Sequence, residues 1–165
     1  MNHLKTTLVI ALLGAALTSC AATPEVTPGQ DRDAATAALQ DAGFTDVDIQ
    51  LSKSYNGFQA TTDTRVYVSL PSTATVTDQE AVMRYLFDTA WSVNDRRPNS
   101  SIGVGFLDPL SSTNWYQVGV DAGLPLSDSN GGPASPRIEV EDATQTFGPW
   151  PGDVPALPAG AMTLP

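Results

Sequence analysis

The sequence predicts an α+β fold: a small mixed sheet with two helices on one face, in the order α-β-β-α-β, plus an irregular proline-rich C-terminal extension. Three observations carry this. Two segments alternate apolar with polar residues, Val47-Ile49-Leu51 and Val66-Val68-Leu70. One segment before this pair and one after it repeat apolar residues at helical spacing. A third alternating segment, Ile102-Val104-Phe106, follows the second helix, so a crossover places it parallel to the strand before that helix.

The first helix is predicted over Asp31 to Ala42. Ala34, Ala35, Ala38, Leu39 and Ala42 form its apolar face, and Asp31 and Asp33 suit the positive end of its dipole. Gly43 and Phe44 fit a Schellman stop, with Phe44 closing on Leu39. The first strand covers Thr45 to Lys53 and the second Thr64 to Leu70. Between them, Ser54-Tyr55-Asn56-Gly57-Phe58 carries an Asn-Gly turn signal at the end of a long hairpin tip. Thr77-Asp78-Gln79-Glu80 reads as a capping box for a second helix ending near Val93. Its stripe is Val82, Met83, Leu86, Phe87, Ala90 and Val93, with Arg84 and Asp88 paired on the solvent side. The third strand covers Ser101 to Leu107, and Gly103 and Gly105 within it suit close approach of a helix. Beyond it the pattern weakens. Trp115 to Val120 and Arg137 to Glu141 read as short strands, residues 127–136 as a loop, and Asp142 to Phe147 as one helical turn. Five of the 17 residues from Pro149 onward are proline, which predicts an extended or disordered tail. Phe147 and Trp150 are the residues by which that tail would fold back onto the domain.

The N-terminus has a different character. Lys5 is the only formal charge in a short leader, and an apolar run from Leu8 to Ala16 follows it. That run is shorter than the roughly 20 residues a membrane span needs, and it has the layout of a secretory signal over residues 1–19. Leu17-Thr18-Ser19-Cys20 resembles the lipobox of bacterial lipoproteins. The resemblance implies cleavage between Ser19 and Cys20 and a diacylglycerol on the Cys20 sulfur. It implies a membrane partner reached through that lipid, and a domain exposed on the outer face of the bacterial cell membrane. Residues 20–30 then form the lipidated N-terminus and a tether, residues 31–148 a single domain, and residues 149–165 the tail.

Cleavage there leaves 146 residues with seven basic and 18 acidic side chains, a formal charge of −11. His3 is the only histidine and Cys20 the only cysteine. The remaining domain thus lacks Ser-His-Asp and Cys-His nucleophiles, His or Cys zinc ligands and structural disulfides. Its acidity opposes nucleic-acid binding. No catalytic residue, metal site or cofactor is expected. Asp46 with Asp48, and Glu139 with Glu141, are i, i+2 pairs on strand faces, at a spacing that suits a carboxylate hydrolase. The alternation turns both pairs outward, where solvated acids keep ordinary pKa values. Lys53 lacks an apolar pocket that would make it a catalytic amine. Asp128-Ser129-Asn130-Gly131 lacks the spacing of a calcium loop.

The aromatics point to a binding surface. Tyr55 and Phe58 lie at a polar hairpin tip, and Trp115 and Tyr116 lie beside irregular segments. The function these features predict is contact with an envelope protein, or with cell wall or glycan as the alternative. Leu39-x-x-Ala42-Gly43-Phe44-x-Asp46-Val47, Arg65-Val66-Tyr67-Val68, Ala90-Trp91 and Phe147-Gly148-Pro149 resemble segments of small actinobacterial lipoproteins of unassigned function. The α-β-β-α-β order is similar to BON domains, which associate with envelope lipids or proteins, although Pro71 stands where a glycine is expected. Pro24-Glu25-Val26 with Ala34, Leu39 and Gly43-Phe44 looks like the start of a PASTA domain, a cell-wall-binding module. The helix from Asp78 to Val93 departs from that pattern.

Overall fold

The computed structural model describes residues 28–127 and 132–164. Cys20, the expected signal segment, most of the expected tether and the Asp128–Gly131 stretch lie outside the described residues. The fold is α+β with one mixed four-stranded sheet in the order β1-β2-β4-β5. α1 is Arg32–Asp41, β1 Thr45–Asn56, β2 Gln59–Ser69, β3 Thr75–Val76, α2 Gln79–Ser92 and β4 Ser101–Phe106. A 3-10 turn follows at Leu110–Ser112, then α3 (Trp115–Asp121), β5 (Arg137–Glu139), α4 (Val140–Phe147) and β6 (Met162–Thr163).

The α1 stop forms as its residues dictate. Gly43 N–H donates to Gln40 O at 2.9 Å and Phe44 N–H to Leu39 O at 3.1 Å, the paired bonds of a Schellman motif. Gly43 takes φ +99°, which favours glycine. β1 and β2 pair antiparallel, and β2 and β4 pair parallel across the α2 crossover. β4 is buried at all six positions. Ile102, Val104 and Phe106 join Ile49, Val66, Val68 and residues from all four helices in one core. Each such side chain contributes about 1.5–3 kcal/mol by leaving water.

Several expectations change. The α2 cap is Asp78, whose side chain accepts from Ala81 N at 2.9 Å, so the helix starts one residue later than a Thr77 box requires. Trp115 to Val120 is helix, not strand. Asn114 caps it by accepting from Gln117 N, and Trp115, Val118, Gly119 and Ala122 follow helical spacing against α2. β5 stops at Glu139 and α4 starts at Val140, so Glu139 and Glu141 are not strand neighbours. A bulge between Thr45 and Asp48, with Asp46 at φ +47°, breaks the alternation that would pair Asp46 with Asp48. Gly103 and Gly105 do not face a helix. They pair with Arg65 and Tyr67 on the opposite face, where a Cβ on Gly105 would meet the Tyr67 ring.

Gln30, expected in the tether, belongs to the domain. Gln30 is buried, bridges to Val93, and its side chain donates to Ser92 Oγ at 2.8 Å. The C-terminal segment is irregular over most of its length and lies along α2. Gly152 N–H donates to Trp91 O, and Ala161 O accepts from Thr77 and Asp78 N–H. β6 pairs antiparallel with β3.

Candidate functional site

The hairpin of β1 and β2 continues past the rest of the sheet. β4 pairs with β2 only from Thr64 onward, whereas β1 and β2 stay in register to Asn56 and Gln59. The turn is therefore tight. Its two central residues are Gly57 and Phe58, with Gly57 at φ +62° and no positive φ at Phe58, the pattern of a type II′ turn. Asn56 closes the strand rather than occupying the turn, which is why an Asn-Gly reading lengthens the tip.

The turn leaves Phe58 fully exposed and Tyr55 69% exposed. Lys53 places its Nζ 5.0 Å from the centre of the Tyr55 ring, within cation–π range. Ser54 Oγ and Thr61 Oγ1 lie 2.6 Å apart across the strands. At its base the hairpin is braced by the connection that precedes β4: Asn99 and Ser100 N–H donate to Thr62 O, Thr62 Oγ1 donates to Arg97 O, and the Asn99 side chain adds two bonds. Asn99 Oδ1 accepts from Thr62 N–H at 2.7 Å, and its Nδ2 donates to Ala60 O at 3.0 Å. Asn99 thus replaces a neighbouring strand for the free edge of β2, and the residues beyond Ala60 project. From Ile49 to Thr62 the chain carries no acid and one cation, Lys53, in a protein of formal charge −10.

The structure separates the four aromatic candidates. Tyr55 and Phe58 form the tip. Trp115 is wholly buried: its ring stacks on Phe106 at 3.9 Å, and its Nε1 donates to Leu110 O at 2.8 Å. Trp115 is a core residue and no part of a binding surface, because the α3 helix turns it inward. Tyr116 is half-buried, with its N–H donating to Pro133 O. Trp115 and Tyr116 are not brought to the tip.

A second feature was not visible in the sequence pattern. Asp88, Trp91, Phe147, Gly152, Asp153 and Pro155 line a cleft of about 250 Å³ between α2, α4 and the tail. Burial pushes the Asp88 carboxyl above its ordinary range, and Arg84 opposes this only in part. The signal available was Asp88 lying between the stripe residues Phe87 and Ala90; the tail that covers it comes from a distant segment. Asp46, Asp48, Glu139 and Glu141, the acids singled out by spacing, are all exposed. Among the described residues no three His, Cys, Asp or Glu side chains are placed to hold a metal ion. No helix among them is long and apolar enough to cross a membrane. No protein-family model, no curated protein and no solved structure matches this chain.

Proposed function

We propose that this chain is a lipid-anchored cell-envelope protein that works by contact rather than catalysis, as an interaction or structural module at the outer face of the membrane. The observation that carries the contact reading is the projecting tip. A fully exposed Phe58 and a mostly exposed Tyr55 on a braced hairpin have no packing role in the domain. The anchor rests on Leu17-Thr18-Ser19-Cys20 at the end of the apolar leader. Cells fed a clickable fatty acid should label the parent protein, and Cys20→Ser should abolish the label and release the protein into the medium. Membrane retention of Cys20→Ser would refute the anchor. A photoreactive phenylalanine at position 58 tests contact in intact cells, where an adduct is expected.

Two other readings have specific support. Exposed aromatics also stack on sugars, which favours a peptidoglycan or glycan ligand for the same tip. The second is a carboxylate hydrolase centred on Asp88, favoured by its cleft position beside Asp153 and Trp91. Substrate turnover lost in Asp88→Asn would establish that reading and displace the contact role.

A further inference from the structure

The tip and the point where the chain joins the domain lie at the same end of the fold. Gln30 N–H donates to Ser92 O at the end of α2, and Asn94 N–H donates to Gln30 O at 2.8 Å. The connection that starts at Asn94 then holds the hairpin, since Arg97 O accepts from Thr62 Oγ1 and Asn99 bonds Ala60 and Thr62. Six residues thus link the chain's point of arrival to the base of the projecting tip. Arg96 and Arg97 are exposed on this connection, and Lys53 adds a third cation. Of the acids at this end, Asp31 caps α1, Asp95 accepts from Arg32 N–H and Asp63 accepts from Ser101 Oγ, while Asp33 lies beside Arg32, and Glu139 and Glu141 are exposed on the side of the hairpin base away from the tip.

Seven residues, 21–27, separate the sulfur-bearing Cys20 from Pro28, a span of eight Cα steps. Extended, they reach at most about 28 Å. From Thr62 to Phe58 the hairpin projects roughly 13 Å. The tether is therefore long enough for an anchored domain to set its tip on the bilayer, and short enough to keep this end closest to it. We infer that the β1–β2 tip, led by Phe58 and Tyr55, packs into the interfacial layer of the phospholipid surface that holds the anchor. Aromatic side chains with an adjacent cation suit that layer, where an amphipathic element buries its apolar face roughly 5–10 Å deep. The inference rests on the anchor proposed above.

The test uses the lipid-anchored protein purified from membranes and reconstituted into vesicles of phosphatidylglycerol and phosphatidylcholine in equal parts. Cys20 is the only cysteine, and acylation occupies its sulfur, so Gln59→Cys and Ser72→Cys each offer one free thiol for a polarity-sensitive fluorophore. Both positions are exposed, Gln59 beside the tip and Ser72 beyond the opposite end of β2. The label at 59 should shift to the blue and be quenched by iodide at least about threefold less than the label at 72. Adding Tyr55→Ser and Phe58→Ser should erase the difference without changing the circular dichroism spectrum. Equal quenching at both positions in protein that floats with the vesicles overturns the tip assignment and leaves the anchor standing. Shielding at 59 that arises only on adding peptidoglycan or envelope protein overturns it in favour of those partners. Parent protein that does not float removes the anchor and this inference together.

Discussion

Asp88 shows how one residue's chemistry depends on distant chain. It sits four residues after Arg84, a spacing that favours a solvated pair, yet the Gly152–Pro155 segment closes over it and its carboxyl is pushed upward by burial. The folded protein therefore keeps this proton to a higher pH than the unfolded chain does. Below the ordinary carboxylate range both states are protonated and Asp88 is neutral in its effect. As pH rises through the raised pKa, the folded state must ionise a poorly solvated group and loses stability relative to the unfolded state. Asp88→Asn keeps the shape and removes the ionisation. It should melt higher than the parent at neutral pH, by a small margin, and equally with the parent at strongly acidic pH. Thermal melts at the two pH values decide this. A variant that melts lower at neutral pH would mean that the Arg84 attraction outweighs burial.

At the scale of elements, the hairpin depends on a side chain from outside it. A free two-stranded ribbon is marginal in water. Here Asn99 supplies two hydrogen bonds to the unpaired edge of β2, each worth about 0.5–1.5 kcal/mol. Asn99→Ala should lower stability by roughly 1–2 kcal/mol. It should also raise hydrogen exchange at the Thr62 amide more than at the Val66 amide, which pairs within the sheet. Uniform acceleration along β2 would show that Asn99 does not brace the tip specifically. None of this bracing was legible in the sequence, because Asn99 reads only as part of a polar connection. The sheet itself was legible. Apolar residues alternate through Ile49 and Leu51, Val66 and Val68, and Ile102, Val104 and Phe106, and a crossover helix leaves one handed way to place β4 beside β2. α3 reads equally as a strand for a physical reason: Trp115, Val118, Gly119 and Ala122 sit at helical spacing, but Tyr116, Val118 and Val120 also alternate, and seven residues cannot separate the two periods. The tip was legible as exposed aromatics; Trp115 and Tyr116 were not separable from it, since burial there depends on where Phe106 and Pro133 arrive.

Across the whole molecule, the C-terminal segment touches the chain before α1, the stop of α1 and both ends of α2. Pro151 lies against Gly29, where a glycine Cβ would meet both Pro151 and Ser92 O. Gly152 approaches the Trp91 ring so closely that a Cβ would collide with it. Ala161 is buried and binds the start of α2, and Leu164 packs at Gly43, the α1 stop. α2 is consequently buried well beyond the single stripe that faces the sheet, with Tyr85, Thr89 and Trp91 covered as well. Such a helix needs a second layer, and here the tail contributes to it. One term opposes this: Trp150 Nε1 is buried without a hydrogen-bond partner, a cost of about 1–3 kcal/mol. The gains outweigh it, because Ala161 joins the apolar core and the half-buried Leu157, Met162 and Trp150 ring pack on it, each contributing part of the about 1.5–3 kcal/mol that full burial of a large side chain gives. Ending the chain at Gly148 should therefore cost on the order of 3 kcal/mol, or about 6–12 °C in Tm at this size. It should also move Trp91 into water, read as a red shift of its fluorescence. A truncated chain that melts with the parent would show that the segment only rests on α2 and that the sheet and helices hold Trp91 unaided.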